Sequence, residues 1–208
     1  MDNEERITML REMPVPQLLI KMGLPTMIGM LVTGLYSIVD ACFVGGLGTQ
    51  QMGAISVVFP VGQILSGLGL LFGGGASSYI SRLLGAGDRK QANHVASTAL
   101  YSSLAIGVIA TLVIEIFMRN ILLALGATET ILPFAVEYPS IFALGAIFTI
   151  ISTTLNNVLT SEGAAKLSMI AMLLGAVLNV VLDPLLIYTF HLGIKGAAIA
   201  TVVSQAIT

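Results

Sequence analysis

The chain has 208 residues, of which 56% are hydrophobic and only 10% are charged, and its formal net charge is −2. The mean hydropathy of +0.95 and the scarcity of charge exclude an ordinary soluble domain, in which about a quarter of the residues are charged. The slightly acidic balance gives no indication of a nucleic-acid partner.

The N-terminal segment MDNEERITMLREMPVP is too long and too acidic for a signal peptide. Residues 2–13 are expected to form either a short helix on the cytoplasmic surface or a disordered tail. In the first case Pro14 and Pro16 would separate this helix from the first span. The apolar run Met22–Val39 that follows is expected to remain as a transmembrane helix.

Long uncharged runs then alternate with short charged clusters. About 20 helical residues cross the hydrocarbon core, and the runs lack the polar/apolar alternation of membrane β-strands. We therefore predict an all-α, polytopic membrane helix bundle with five complete spans and a sixth that has begun, so that the chain is expected to be truncated in its sixth helix. A re-entrant sixth segment is the alternative. The expected helices are 15–43, 51–84, 93–118, 131–160, 166–190 and 195–208.

The positive charges predict the orientation. If the N-terminus is cytoplasmic, seven Lys and Arg residues lie inside, and only Arg119 and Lys195 lie outside. This distribution follows the positive-inside rule. The segment Leu84–Asn93, LGAGDRKQAN, is expected to be a cytoplasmic loop, because its charged cluster cannot enter lipid.

The glycines between positions 67 and 75 predict close helix packing, since no strand precedes them and no GK[ST] follows. Cys42 is the only cysteine, and we expect it simply to pack in the bundle. No arrangement typical of a catalytic or metal site is present, so neither an enzyme nor a cofactor is predicted. Asn156 and Asn157 are near a predicted helix end, where at least one is expected to cap the helix.

Asp183 is the clearest candidate functional residue, because an ionisable group deep in a span costs a few kcal/mol unless it faces a partner or a wet cavity. Asn179 is one turn earlier on the same helical face. Pro184 should free the carbonyl of Val180 and bend the helix beside them. Carboxylate, amide and carbonyl oxygens suit Na⁺, whereas a proton needs only the carboxylate. The alternative is a structural pair between helices.

Asp40 is a second acid near the end of the first span, with Tyr36 one turn earlier on the same face. It precedes Gly53-Ala54 by thirteen residues, just as Asp183 precedes Gly196-Ala197. Repeated halves of transporters often place such groups in one cavity, so the two acids are expected to meet. The alternatives are that Asp40 lies at the membrane interface and that the repeated spacing arises by chance.

Several motifs, in this order and spacing, resemble the multidrug and toxic compound extrusion family. They are SIVDACFVGGLG at 37–48, SRLLGAGDRKQA at 81–92, LLALGATETILPFAVEY at 122–138, LNNVLTSEG at 155–163 and LNVVLDPLLIY at 178–188. Together they cover essentially the whole chain. The similarity is greatest to the bacterial and archaeal branch with an aspartate in the first helix, here Asp40.

The resemblance implies a twelve-helix, two-lobe transporter in the plasma membrane, of which residues 1–208 are the six-helix N-terminal lobe without its C-terminal lobe. Such a transporter is expected to export cationic, lipophilic drugs in exchange for H⁺ or Na⁺, with no cofactor. Drugs, membrane lipid and the C-terminal lobe are the expected partners.

The resemblance also implies roles for individual residues. Asp40, Asn179, Asp183 and Thr201 match the cation-coupling cluster, with Na⁺ expected between the first three. Tyr36 and Tyr138 are expected to belong to the same network. Glu162 matches an acid of a cytoplasmic turn, as a gate or structural residue.

Two other functions remain open. A flippase for lipid-linked oligosaccharides from the same superfamily should have several cations in its cavity, but Arg119 and Lys195 are not mid-span. In a non-transporting membrane scaffold, the acids would only pair helices.

Overall fold

A computed structural model describes residues 3–128 and 131–208; the side chains of residues 3, 4, 133–140, 142 and 144 are not described. The described residues form helices and connecting turns, which confirms the all-α prediction. The helices are α1 (Asn3–Glu12), α2 (Val15–Gly45), α3 (Thr49–Ala86), α4 (Arg89–Ala124), α5 (Leu132–Ser161), α6 (Ala165–Pro184) and α7 (Ile194–Ile207), with a π-helical segment at Leu185–Thr189.

The N-terminal segment is helical rather than irregular from Asn3 to Glu12. Pro14 is the N-cap of α2, and Pro16 lies in its first turn, where a proline needs no hydrogen-bond acceptor. The two prolines therefore separate α1 from the first long helix.

Among the residues that the structure describes, four helical stretches are long and apolar enough to cross a membrane: Val15–Gly45, Thr49–Ala86, Arg89–Ala124 and Ala165–Thr189. Their outward faces carry exposed large apolar side chains, among them Leu31, Ile116 and Leu174. Exposure of such a surface to water is unfavourable, whereas lipid tails would cover it. The chain is therefore a polytopic membrane protein.

Helix α5 lies at the centre of the bundle and packs against α3, α4 and α7, whereas α2 packs mainly on α6. The α3–α5 contact is close because Gly69 and Gly73 face α5. A Cβ atom at Gly73 would lie 2.9 Å from the Cα atom of Thr154. The prediction that these glycines serve packing is confirmed at both positions.

The predicted loop after α3 is a tight turn. Gly87 has a φ of +86°, a left-handed conformation that glycine adopts without steric cost. The Asp88 side chain then accepts a hydrogen bond of 3.0 Å from the Gln91 backbone N–H and caps α4.

Two sequence-based expectations were wrong. Asn156 and Asn157 do not cap α5; their side-chain amides donate to the carbonyls of Ser152 and Thr153, one turn earlier. Helix α5 continues past them to Ser161, because the next turns are also apolar enough to pack. Cys42 is exposed, since the end of α2 turns that side chain away from the described helices.

Candidate functional site

The two polar residues predicted on the sixth helical segment are in the core of the bundle. The exposed fraction of the side chain is 1% for Asn179 and 0% for Asp183. Their spacing of four residues on α6 places both on one face. That face meets α2 and α7, the helices that contribute Asp40 and Thr201.

The carboxyl groups of Asp40 and Asp183 lie close enough to interact with each other. Both carboxyl oxygens of Asp183 and one of Asp40 are buried, with no hydrogen-bond partner among the described residues. Buried polar atoms in proteins nearly always have a partner. Unsatisfied carboxyl oxygens from two helices therefore meet at one place in the bundle.

Neutral oxygen ligands adjoin the two acids. The Thr201 hydroxyl donates to the Ala197 carbonyl at 3.0 Å and accepts a long, 3.5 Å hydrogen bond from the Asn179 amide. The carbonyl oxygen of that amide is itself buried without a described partner, and so is the Ser204 hydroxyl. Sequence reasoning missed Ser204, although its position three residues after Thr201 places it on the same face of α7.

Tyr36 interacts electrostatically with both aspartates, and its hydroxyl is also within hydrogen-bonding range of the Gln205 side chain. The structure thus brings Tyr36, Asp40, Asn179, Asp183 and Thr201 together. The side chain of Tyr138 lies outside the described residues.

A cavity of about 450 Å³ adjoins this cluster. Its wall includes Tyr36, Asn179 and Thr201 but neither aspartate, so the neutral side chains lie between the carboxyl groups and the cavity. Most of its polar lining consists of hydroxyl and amide groups, and Met30 and Met172 add flexible apolar surface. No described residue that lines it is charged.

Helical geometry changes immediately after the acid. From Leu185 to Thr189 the backbone forms a π-helical turn, with the Phe190 N–H donating to the Leu185 carbonyl at 3.0 Å. Such turns in α-helices frequently mark functional sites. Within this turn, the Tyr188 hydroxyl donates a 2.6 Å hydrogen bond to the Phe43 carbonyl and so ties the π turn to the end of α2.

Glu162 lies apart from the aspartates, in the turn between α5 and α6. It is half-buried, and Arg6 of α1 is near it. Burial raises the pKa of the Glu162 carboxyl above its ordinary value, and the positive charge of Arg6 offsets part of this effect. Helix α1 covers the turn, with Leu10 and Arg6 close to Gly163.

The residues of the aspartate cluster suit a hard cation better than a transition metal. They offer carboxyl, amide and hydroxyl oxygens. Within the described part of the chain, no group of three or more His, Cys, Asp or Glu residues could bind a metal ion.

A membrane helix bundle with a polar cavity beside buried acids is the arrangement expected of a membrane transporter. Residues 25–185 match the MatE family model, and the chain belongs to the multidrug and toxic compound extrusion (MATE) family, as its motifs predicted.

Relatives share the sequence and the fold. The multidrug export protein MepA of Staphylococcus aureus (strain MSSA476) is 40% identical over 203 residues, which are 97% of this chain and 45% of MepA. A MATE crystal structure in a straight conformation has 35% identity and a TM-score of 0.92, and one in a bent conformation has 36% and 0.89. The match covers 98% of this chain and 45% of each of these two structures. This chain therefore spans about half the length of the relatives it matches.

Proposed function

We propose that this chain is the N-terminal lobe, residues 1–208, of a secondary multidrug efflux antiporter that exports cationic, lipophilic drugs in exchange for H⁺ or Na⁺. The multidrug export activity in the name of MepA supports the drug as cargo. Similarity to about half of each relative supports a twelve-helix protein with a second lobe.

The Asp40–Asp183 pair is the observation that supports ion coupling. Two adjacent carboxylates in an apolar bundle repel each other and lose hydration, so they cannot both remain charged without a cation. Either a proton on one of them or a Na⁺ between them would neutralise the pair. The unsatisfied oxygens of Asn179 and Asp183 would complete the shell of a Na⁺.

The cavity supports a neutral or cationic lipophilic cargo. Hydroxyls, amides and methionines can contact many different ring systems without imposing one geometry. Because no described lining residue is cationic, this cavity suits a lipid-linked pyrophosphate poorly. Export of drugs is therefore favoured over a flippase for lipid-linked oligosaccharides.

In the proposed cycle, cation binding at the pair changes the local charge and bends a helix near Asp40 or Pro184. Tyr36, Asn179 and Thr201 line the cavity, and Tyr36 also interacts electrostatically with both acids, so these side chains would transmit that change to the drug. Related MATE structures have a straight and a bent conformation, which supports a conformational change in the proposed cycle. One positive charge that moves inward across a membrane potential of about 100 mV supplies roughly 2.3 kcal/mol to the cycle.

Cellular efflux tests this function. The protein, expressed from its own gene in cells without their own pumps, should export ethidium, and Asp183→Asn should reduce efflux to background. The matched control is Glu115→Gln, which neutralises an exposed acid of α4 and should leave efflux intact. Full efflux by Asp183→Asn with unchanged ion dependence would contradict the assignment. Normal folding and an unchanged phenotype of Asp183→Leu would instead favour a scaffold.

A further inference from the structure

A second cavity lies at the opposite end of α6 from Asp183, between α1, the start of α2 and the turn into α6. Its volume is about 340 Å³. Three cationic side chains line it, namely Arg6, Lys21 and Lys166, and none of its described lining residues is acidic. The export mechanism uses none of these groups.

Acidic side chains are near the cavity, but they do not pair with its two lysines. Glu162 faces Arg6 from the turn, and Glu5 and Glu12 line a separate, more open groove that Lys21 also borders. Lys21 and Lys166 form no ion pair with any residue that the structure describes. Since α6 begins at Ala165 beside the cavity without a side-chain cap, its first N–H groups add further positive potential.

The other wall of the cavity is apolar and continuous with the lipid-facing surface. Met22, Leu167 and Ile170 line it, and Leu167 and Ile170 are about half-exposed, as is Leu174 one turn further along α6. A ligand here would have its anionic part among the lysines and an apolar part along α6. Free phosphate has no such apolar part.

We propose that this cavity binds the headgroup of an anionic phospholipid, with an acyl chain along the exposed face of α6. Basic pockets between helices at the cytoplasmic membrane surface recognise such headgroups. The bound phosphate would bridge Lys21 of α2 and Lys166 of α6, so the lipid would fasten α1 and α2 to the α5–α6 turn. The proposal does not depend on drug export, because it concerns binding alone.

Native mass spectrometry of the purified protein in detergent tests this proposal. Given equal amounts of phosphatidylglycerol and phosphatidylcholine, the wild-type protein should retain phosphatidylglycerol preferentially. The double variant Lys21→Gln/Lys166→Gln should bind it about 30-fold more weakly, as expected for two lost lysine–headgroup contacts. The control Arg82→Gln/Lys90→Gln removes two exposed charges elsewhere and should not change binding.

Three results would overturn the proposal: no preference of the wild type for phosphatidylglycerol, an equal loss in the control, or equally strong competition by inorganic phosphate. The first and third need no variant and hold even if the double variant misfolds. Lys166→Arg retains the charge and should retain binding.

Discussion

At the scale of single residues, the proposed ion coupling rests on Asp40 and Asp183, whose carboxyl groups meet in the bundle with unsatisfied oxygens. The spacing of Asn179 and Asp183 alone predicted that they share a face, because helical periodicity determines it. Ser204, and the contact of the Tyr188 hydroxyl with the Phe43 carbonyl, were not predicted. Both depend on how neighbouring helices are rotated and shifted against each other, which one sequence does not reveal.

Glu162 gives a residue-scale prediction about pH. Because burial raises its folded-state pKa above the unfolded one, its ionisation opposes folding. This cost is absent below the unfolded pKa and grows as the pH rises through the folded pKa. Glu162→Gln should therefore raise the thermal midpoint at pH 7 by only about 1–2 °C, because Glu162 is half-exposed and well screened.

Thermal unfolding of the detergent-purified protein between pH 4 and pH 8 measures this effect. The difference between Glu162→Gln and wild type should shrink towards pH 4. A variant that is less stable than wild type at pH 7 would instead mean that the contact with Arg6 dominates.

At the scale of elements, the helical runs were predictable, because continuous apolar stretches of this length have few other structures in a membrane. The order in which the helices pack was not. The central position of α5 follows from close helix–helix approaches at small residues. The sequence contains many more small residues than those at which helices approach closely, so it does not show which of them form the contacts. Gly73 and Gly75 lie on the same helix, yet only Gly73 touches α5.

This contrast yields a prediction with a matched control. Gly73→Ala places a methyl group 2.9 Å from the α5 backbone and should destabilise the protein by about 1–3 kcal/mol. Gly75→Ala meets no atom within 4 Å and should be neutral or slightly stabilising, because alanine favours a helix. Thermal unfolding of both variants measures the difference, and equal midpoints would contradict the assigned α3–α5 contact.

At the scale of the whole molecule, the resemblance predicted the family and the half-length match, whereas the orientation in the membrane remains a prediction from the distribution of positive charge.

This orientation can be tested by cysteine labelling. If the N-terminus is cytoplasmic, a cysteine that replaces Lys90 lies inside and one that replaces Leu125 lies outside. In a Cys42→Ser background without other cysteines, a membrane-impermeant maleimide should label Leu125→Cys in whole cells and Lys90→Cys only after lysis. The reverse labelling pattern would mean that the N-terminus is on the outside.

The central claim is that the Asp40–Asp183 pair couples a cation to drug movement. Reconstituted vesicles with an imposed proton or sodium gradient, and with ion flux recorded during ethidium transport, test it most directly. The wild type and Glu115→Gln should move ethidium only while one gradient is dissipated, and Asp183→Asn should show neither ethidium transport nor ion flux. Gradient-driven ethidium transport by Asp183→Asn at the wild-type rate would contradict the claim.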